Sequence, residues 1–389
     1  MLHTVGIICE YNPLHSGHKK QLDWIRVENG RDCAIVCLMS GNFVQRGHPA
    51  IFDKTLRAQA AIACGGDLVL EMPVTAALSS AEGFAAKGVG ILSMLCDSLC
   101  FGAESPDAGT LSEIAAALLS PAFSEKLRPA LDRGLSFPAA RQAALEEMGL
   151  PASLLAQPNN ILAVEYCKAI LAQNVPMVPM PILRQGNYHD TEAEIENPSA
   201  TALRNLVATG GCWLDYVPAQ AQPVVADATV HQLCWGEKAM LGRLRTMTEA
   251  EFEALPYGSE GLWRKFMHAC RRHTTLENII AAVKSKRYTR TRLDRMVMCA
   301  FLGLKEADFA APIPYVRVLA FNDRGREILS KVRDTGFFVN LGQDTKHPYQ
   351  ELERRCGSLY GLFSKEPESP DSEEKRRVFY QKEEGATCG

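Results

Sequence analysis

An apolar run near the start of the chain leads directly into the tetrad His15-Ser16-Gly17-His18. Residues 4–10 are rich in Val, Ile and Cys, which is typical of a buried parallel strand, and residues 16–28 are predicted to form a helix. A strand that turns into a helix through such a loop matches the first crossover of a doubly wound sheet, where a ligand binds at the strand's carboxyl end. This tetrad therefore constrains the fold more than any other feature of the sequence.

The spacing of the two histidines suits phosphate chemistry at a helix N-terminus. Backbone N–H groups and the helix dipole attract anions there, and Gly17 lets the backbone approach a nucleotide. Imidazoles three residues apart lie on one helical face and can donate hydrogen bonds to one polyphosphate. We assign His15 and His18 as candidate catalytic residues for attack on the α-phosphate of ATP, with pyrophosphate leaving. The alternative is a loop marked by Pro13 and Gly17, with His18 packed in the core.

The next hundred residues alternate between apolar strand patterns and helical patterns. Strands are predicted over 33–39, 67–72 and 98–102, and helices over 54–64 and 80–95. Such β-α-β alternation implies parallel pairing with right-handed crossovers. The predicted fold class is therefore α/β, a doubly wound, Rossmann-like parallel sheet with a mainly helical C-terminal region.

The rest of the sequence predicts two domains. Residues 1–217 are assigned to a catalytic domain that binds ATP, and residues 228–389 to a mainly helical C-terminal domain. The stretch 217–229, rich in Ala and Pro, is interpreted as the linker, and the tail from Glu366 is expected to be frayed. The remaining predicted elements are mostly helical residues 107–172, a strand over 175–183, a helix opening at 199–204, helices over 230–302, a strand over 315–321 and a helix over 323–333.

Composition favours a protein of the cytoplasm. The 389 residues are 47% hydrophobic and 22% charged, as in ordinary globular proteins, and no apolar run reaches the ~20 residues that span a bilayer. Thirteen cysteines is an odd number, and many of them lie in apolar segments, which fits reduced thiols better than a disulfide framework. No Cys/His set has the spacing of a metal site, so none is predicted.

Charge is distributed unevenly along the chain. The formal net charge is −3, yet residues 261–300 contain ten Lys or Arg and only two acidic residues, Glu277 and Asp294. A basic segment in an acidic chain is a candidate nucleic-acid contact, and Tyr288 within it can stack on an unpaired base. The alternative is a solvated helix face.

These motifs resemble two nested families. An His-x-Gly-His tetrad followed later by Ser199-Ala200-Thr201-Ala202-Leu203-Arg204 resembles the H-x-G-H nucleotidyltransferase superfamily, although Ala200 stands where that superfamily has a serine. Nearly the whole chain resembles the tRNA(Met) cytidine acetate ligase family, which usually has Phe at the position of Leu14. The segments that carry this second resemblance are 10–18, 39–47, 63–73, 101–104, 158–162, 184–190 and 284–295.

The resemblance implies an ATP-dependent acetyl transfer without acetyl-coenzyme A. Acetate would attack the α-phosphate of ATP to give acetyl-adenylate and pyrophosphate. The exocyclic amine of the wobble cytidine of elongator tRNA(Met) would then take the acetyl group and release AMP. Mg²⁺ is expected with ATP, held by phosphate oxygens and water.

The resemblance also implies a set of ATP contacts. Gly102 would lie near the adenosine, Asn160 and Arg184 would contact the nucleotide, and Glu104 and Asp190 are acids that could assist a metal or the amine. The simpler alternatives are that Gly102 only ends a strand, that Asn160 caps a helix and that Arg184 forms a surface ion pair. The implied ATP-binding residues are Ile7, Ile8, Cys9, Glu10, Tyr11, Asn12, Pro13, Leu14, His15, Ser16, Gly17, His18, Lys19, Lys20, Gly102, Asn160, Arg184, Thr201 and Arg204.

The basic segment is interpreted as the tRNA contact, because Lys and Arg bind phosphates with salt-dependent affinity. Its predicted tRNA-binding residues are Lys284, Lys286, Arg287, Tyr288, Arg290, Arg292 and Arg295.

Two other functions remain open at this stage. A small-molecule nucleotidyltransferase would share the ATP site but would not need a basic C-terminal segment of this length. A non-catalytic RNA-binding protein with a degenerate nucleotide fold is favoured only by the substitution at Ala200.

Overall fold

The central strand of the protein is the one that leads to the histidine tetrad. We describe a computed structural model for residues 2–184 and 198–382. The strands are β1 Thr4–Cys9, β2 Ala34–Ser40, β3 Phe43–Val44, β4 His48–Pro49, β5 Leu68–Met72, β6 Ser98–Ala103, β7 Val178–Leu183, β8 Val316–Asn322, β9 Phe338–Asn340 and β10 Phe379–Gln381.

Helices cover both faces of the sheet and form the bulk of the second half of the chain. They are α1 Ser16–Asn29, α2 Lys54–Ala63, α3 Val74–Ala77, α4 Ala81–Leu92, α5 Ala108–Leu119, α6 Pro121–Asp132, α7 Phe137–Glu147, α8 Pro158–Gln173, α9 Ala200–Thr209, α10 Gln222–Val225, α11 Leu233–Thr246, α12 Glu249–Glu253, α13 Leu262–Cys270, α14 Leu276–Val283, α15 Arg290–Leu302, α16 Glu306–Ala310, α17 Asp323–Val332, α18 Tyr349–Tyr360 and α19 Ser372–Lys375.

The described residues contain one eight-stranded sheet with the order β10-β8-β5-β2-β1-β6-β7, and β9 pairs with β8. The strands β5, β2, β1, β6 and β7 run parallel, which confirms the predicted doubly wound α/β fold. The chain moves to one side of β1 for β2 and β5 and to the other side for β6 and β7. This reversal creates a crevice at the carboxyl ends of β1 and β6, where nucleotides bind in such folds.

Apolar runs explain why the inner strands are buried on both faces. All seven residues of β2 are buried, and alternate side chains enter different cores. Val36 and Leu38 pack beneath α4 and α8, while Ile35, Cys37 and Met39 pack with α1 and α2 on the opposite face. A strand buried on both sides needs such a continuous apolar sequence.

Two prolines protect the free edge of the sheet at β7. The N–H of Val178 donates to the carbonyl of Asp97 at 2.9 Å, and the N–H of Arg184 donates to that of Ala103 at 2.8 Å. Even-numbered residues therefore turn their N–H groups toward β6, so Pro179 and Pro181 occupy the positions whose N–H would face the open edge. Without these donors, that edge cannot readily pair with a further strand.

The C-terminal half is joined to the same sheet. Strand β8 pairs antiparallel with β5, and β10 pairs parallel with β8. The expectation of a frayed tail from Glu366 is wrong, because this segment supplies β10 and the side chain of Glu373, which is buried. The structure of this segment depends on strand pairing with a distant part of the chain and on the burial of a charged residue. Neither produces a local signal in the sequence.

The predicted linker also packs against the sheet. Residues 217–229 include α10, and Val217, Ala221 and Val225 are buried in the core that contains α1 and α2. The interpretation as a linker is therefore wrong, whereas the division of the chain into domains 1–217 and 228–389 stays a prediction.

Buried charges tie the sheet to the C-terminal segment. The ammonium of Lys54 contacts Glu71 at 3.1 Å and also Glu373. The guanidinium of Arg317 contacts Glu71 at 2.8 Å, Glu373 at 2.8 Å and Glu353 at 3.1 Å. Each cation thus has more than one carboxylate, as buried charges require.

No helix among residues 2–184 and 198–382 combines the length and apolar character needed to cross a membrane.

Gly47 allows the β3–β4 hairpin to pack closely on α15, and its replacement by alanine tests this contact. Gly47 has a φ of +81°, and a Cβ there would lie 2.5 Å from the backbone nitrogen of Arg295. We expect Gly47→Ala to lower the free energy of unfolding by about 2–4 kcal/mol, measured by urea denaturation.

Gly134→Ala is the matched control, because Gly134 has a φ of +84° but a Cβ added there would meet no atom within 4 Å. It should cost only about 1 kcal/mol, which reflects the left-handed backbone alone. Equal losses in the two variants would contradict the close contact between the hairpin and α15.

Candidate active site

The two histidines of the tetrad lie against each other at the start of α1. Their rings are stacked, with centroids 3.7 Å apart and an angle of 26° between the ring planes. The Nδ1 of His18 accepts a hydrogen bond from the backbone N–H of His15 at 3.3 Å. A Cβ at Gly17 would lie 3.1 Å from Cε1 of His15, so glycine is the residue that lets this ring fold back over the helix start.

His15 keeps two polar atoms without a partner inside the protein. The residue is only 4% exposed, and within the described part of the chain neither ring nitrogen makes a hydrogen bond. An unpaired buried donor costs free energy of folding, so such groups in native proteins are commonly reserved for a ligand. The arrangement fits an anion that supplies acceptors when it binds.

Burial keeps both rings neutral. The pKa of His15 lies well below its usual value, chiefly because of burial, and then because a proton on this ring would be repelled by a protonated His18 and by the guanidiniums of Arg184 and Arg204. Burial, with a further contribution from Arg184, lowers the pKa of His18 to about 3. Since Nδ1 of His18 is an acceptor, its proton resides on Nε2, which leaves one N–H to donate to a ligand.

The second sequence motif reaches the same loop from α9. Ser199 caps this helix by accepting a hydrogen bond from the N–H of Ala202 at 3.0 Å. Arg204 donates to the backbone carbonyl of Asn12 at 2.9 Å and to Oγ1 of Thr201 at 3.0 Å. The structure therefore brings Thr201 and Arg204 beside the loop that precedes His15, as the motif predicts.

Arg184 is positioned by a network at the start of α8. Its guanidinium donates to Oδ1 of Asn159 at 2.8 Å. The side-chain amide and backbone N–H of Asn159 both donate to Glu104, at 2.7 and 3.2 Å, and the backbone N–H of Asn160 donates to Glu104 at 2.7 Å. Glu104 thus caps α8 and orients Arg184 through Asn159, a role that differs from assistance to a metal or an amine.

Asn160 and Gly102 lie at the inner wall of this network. Asn160 is fully buried, and its Oδ1 accepts a hydrogen bond from the N–H of Ser105 at 3.0 Å. Its amide nitrogen is a second buried donor without a partner among the described residues. A Cβ at Gly102 would lie 3.7 Å from the Cβ of Arg184, so the Arg184 side chain occupies the space above this strand end.

The chain is similar over nearly its whole length to proteins of known name. A family model described as HIGH Nucleotidyl Transferase matches residues 2–375. The tRNA(Met) cytidine acetate ligase of Clostridium novyi is 36% identical, over 98% of this chain and 100% of the relative.

The chain belongs to the tRNA(Met) cytidine acetate ligase family.

Solved structures support the same assignment. The apo crystal structure of Thermotoga maritima TmcAL has a TM-score of 0.89 and 27% sequence identity, over 98% of this chain and 100% of that one. The crystal structure of the Thermotoga protein bound with alpha-thio ATP has a TM-score of 0.85 and 26% identity, with the same coverage. The resemblance to this ligase family found in the sequence is thereby confirmed.

The other predicted ATP-binding residues between Ile7 and Lys20 mainly shape the loop that carries the histidines. The side chains of Ile7, Tyr11 and Leu14 are buried in the core, so only their backbone can face a ligand. Two of the other predicted residues, Asn12 and Pro13, are buried, and Lys20 is exposed. The following are half-buried: Ile8, Cys9, Glu10, Ser16 and Lys19. Their contacts with ATP stay predictions.

Two side-chain acceptors hold the loop in place. Glu10 accepts a hydrogen bond from the backbone N–H of Gln45 at 2.8 Å, and Asn12 accepts one from that of Ile51 at 2.7 Å.

Asp190, with the rest of residues 185–190 that carry part of the resemblance, lies outside the described residues.

Sequence reasoning missed Arg57, a fully buried residue of α2. Its guanidinium donates to the backbone carbonyls of Glu10 at 2.6 Å, Ser40 at 3.0 Å and Phe52 at 2.9 Å, and also to that of Gly41. It therefore joins the carboxyl ends of β1 and β2 beneath the site. A charged residue on the otherwise apolar face of α2, beside Ala58 and Ala61, is the signal that could have revealed it.

Three of the predicted tRNA-binding cations are exposed to solvent and accessible to a partner. Lys284 and Lys286 are exposed and make no ion pair with any described residue. Arg287 is 65% exposed and pairs with Glu260 at 2.6 Å on the surface, an interaction of small energy.

The other three predicted tRNA-binding cations make contacts within the protein. Arg290 pairs with Glu277 at 2.8 Å and with Asp294 at 2.9 Å. Arg292 donates to the carbonyl of Tyr257 at 2.7 Å and lies 5.3 Å from the ring centroid of Tyr288. Arg295 donates to the carbonyl of Gln45 at 3.4 Å.

Within residues 2–184 and 198–382, no three His, Cys, Asp or Glu side chains converge as a set able to hold a metal ion.

The neutral state of buried His15 predicts a pH dependence of stability. A free histidine titrates near pH 6.5, so below that pH the unfolded chain takes up a proton that the folded chain refuses. Acidification from pH 7 to pH 5 should therefore lower the free energy of unfolding by about 2 kcal/mol through this residue. Urea denaturation at the two pH values should therefore show a loss about 2 kcal/mol smaller in His15→Gln than in the wild type, since buried His18 contributes its own loss to both proteins.

His268→Gln is the control, since His268 is exposed on α13. It should keep the pH dependence of the wild type. The assignment of His15 as neutral fails if His15→Gln and the wild type lose equal stability.

Proposed function

We propose that this chain is an ATP-dependent tRNA(Met) cytidine acetate ligase. It activates acetate as acetyl-adenylate and transfers the acetyl group to the exocyclic amine of the wobble cytidine of elongator tRNA(Met). The names of its relatives support this assignment, as does the neighbouring structure that holds alpha-thio ATP. The observation that carries the proposal within this chain is the pair of partnerless nitrogens on buried His15, at the mouth of the crossover.

In the first half-reaction, a carboxylate oxygen of acetate attacks the α-phosphorus of ATP. The new P–O bond forms as the bond to pyrophosphate breaks, and negative charge grows on the leaving group. The neutral N–H groups of His15 and His18 donate to phosphate oxygens, while Arg184 and Arg204 supply positive charge. Donors fixed in place before reaction stabilise such charge most effectively.

In the second half-reaction, the cytidine amine attacks the acetyl carbon. A C–N bond forms, the C–O bond to AMP breaks, and the nitrogen loses a proton. The energy of this step comes from the mixed anhydride, so acetyl-coenzyme A is not needed. The protein has to bring the base and the acetyl-adenylate together, which is catalysis by orientation.

Mg²⁺ enters this scheme as part of the MgATP substrate. We expect phosphate oxygens and water to hold this ion, which is how this cation commonly accompanies nucleotides. Its charge would neutralise part of the triphosphate.

The cytoplasm is the compartment we propose for the enzyme. Twelve described cysteines are free thiols, and nine of them are buried. Reduced thiols are typical of that compartment, which also supplies tRNA, acetate and ATP.

Labelled acetate provides the test of the proposed reaction. The protein is incubated with ATP, labelled acetate and either elongator or initiator tRNA(Met). Label in the elongator tRNA alone is the expected result. Consumption of ATP with a nucleotide co-substrate but no labelled tRNA would point to a small-molecule nucleotidyltransferase, and absence of any turnover would point to a binding protein.

Loss of the His18 ring should slow the first half-reaction selectively. We expect His18→Ala to reduce acetate-dependent exchange between ATP and pyrophosphate by about 10²–10³-fold, since a preorganised donor to developing charge contributes that much. His268→Ala, which removes an exposed ring from α13, should exchange at the wild-type rate. Exchange by His18→Ala within threefold of the wild type would remove this histidine from the mechanism.

Exposed cations of the basic segment should determine the affinity for tRNA. The triple variant Lys284→Ala/Lys286→Ala/Arg287→Ala should bind elongator tRNA(Met) at least tenfold more weakly, with a salt slope shallower by about 2–3, because each lost phosphate contact removes nearly one counterion. Filter binding at several salt concentrations measures both quantities.

The matched control removes three cations from another part of the chain, on and just after α17. Arg326→Ala/Lys331→Ala/Arg333→Ala changes the net charge equally, and all three residues are exposed. Equal weakening in the two triple variants would reduce the effect to net charge and contradict a local contact.

A further inference from the structure

A wide groove separates the start of α4 from the helices that follow residue 249. Its volume is about 710 Å³, which is ample for a nucleotide. One wall is formed by residues 79–87 and the other by α12, α13, α15 and α16. The lining residues that bear most on ligand binding are Lys87, Glu253, Tyr257, Glu306 and Phe309.

The groove opens at the end of the sheet where the parallel strands have their carboxyl ends, which is also the end that carries the histidines. Strands β1 and β5 belong to the parallel set, so their carboxyl ends lie at one edge. Residues 79–80 follow β5 and α3, and α4 begins there and returns toward the opposite edge. The hydroxyl of Tyr257 donates to the carbonyl of Leu78, which joins the far wall of the groove to this edge.

The lining offers a planar apolar surface beside polar groups. The half-buried ring of Phe309 has the Nζ of Lys87 5.3 Å from its centroid. A base can stack on such a ring, and the neighbouring cation suits its π-system and its phosphate. Glu253 and Glu306 present exposed carboxylates, which accept hydrogen bonds from the exocyclic amines of bases.

Two cations lie at the groove, Arg292 in its lining and Arg287 in a salt bridge with the lining residue Glu260, and we call these two the basic rim. Glu260 lines the groove and pairs with Arg287, the residue that follows the exposed Lys284 and Lys286. Arg292 lines it as well and donates to Ser259 at 3.1 Å. A phosphate backbone on this rim would place its bases toward the groove.

We propose that the groove between α4 and α16 binds an unpaired nucleotide of the RNA substrate. The base lies against Phe309, with its exocyclic amine donating to Glu253 or Glu306, and its phosphates follow the basic rim. This inference rests on the proposed function. It adds a site for one unpaired base, and it favours cytosine, adenine or guanine over uracil, which lacks the amine.

Substitution of the ring tests the stacking contact. Phe309→Ala is compared with Phe137→Ala, which removes a 54% exposed ring from α7, far along the chain. Each protein is first checked for acetate-dependent exchange of ATP and pyrophosphate, so that only folded enzyme is compared. Filter binding to elongator tRNA(Met) should then show roughly tenfold weaker affinity for Phe309→Ala and no change for Phe137→Ala. Equal affinities would overturn the proposal.

Base preference gives a second test that uses the wild-type protein. Oligocytidine of five nucleotides should compete for the tRNA site at least fivefold better than oligouridine of the same length. Glu253→Gln/Glu306→Gln should reduce that ratio. Ultraviolet cross-links of the bound tRNA should fall in residues 254–263 or 306–310, and cross-links found only elsewhere would contradict the groove as the site.

Failure of the groove assignment and failure of the proposed function give different results. If the wild type neither binds nor acetylates elongator tRNA(Met), the proposed function falls. If it does both while the ring variant binds normally and the cross-links lie outside the groove, only the groove assignment falls.

Discussion

Two imidazoles that stack 3.7 Å apart at a helix start would repel each other if both were protonated, so the arrangement favours uncharged rings. Burial enforces that condition, and the nearby guanidiniums of Arg184 and Arg204 reinforce it. Gly17 leaves room for the stacked ring, and Arg57 fixes the strand ends from which the loop departs. A site with neutral donors and flanking cations attracts a polyphosphate without repelling itself when empty. The rest of the structure holds these few side chains in their relative positions.

The C-terminal half is part of that support. Its strand β8 extends the sheet, and its charges meet Lys54 and Glu71 in the interior. Lys54 belongs to α2, the helix that also carries Arg57, so the segment that completes the sheet also braces the helix beneath the site. The same half supplies the helices with exposed cations. The end of the sheet that carries the two histidines and the surface proposed for RNA are thereby joined through one sheet.

Local sequence patterns predicted the elements that depend on local physics. The apolar run of β1, the parallel alternation and the start of α9 follow from periodicity and capping, whereas the pairing of the tetrad with Thr201 and Arg204 came from the family resemblance. What escaped prediction depends on distant partners. The tail looked frayed because its acidic residues meet their cations only in the fold, and residues 217–229 looked like a linker because their few apolar side chains pack across the chain. The partners of Arg57 and Glu104 were hidden for the same reason, since both side chains bind backbone groups of distant segments. The basic segment was predicted as one unit, but Arg290, Arg292 and Arg295 are engaged within the protein.

A crystal structure of this protein with a non-hydrolysable ATP analogue tests the central claim most directly. We predict triphosphate oxygens within hydrogen-bond distance of ring nitrogens of both His15 and His18, with the guanidiniums of Arg184 and Arg204 close to the phosphates. An analogue bound at another edge of the sheet, with the nitrogens of His15 still unpaired, would contradict it.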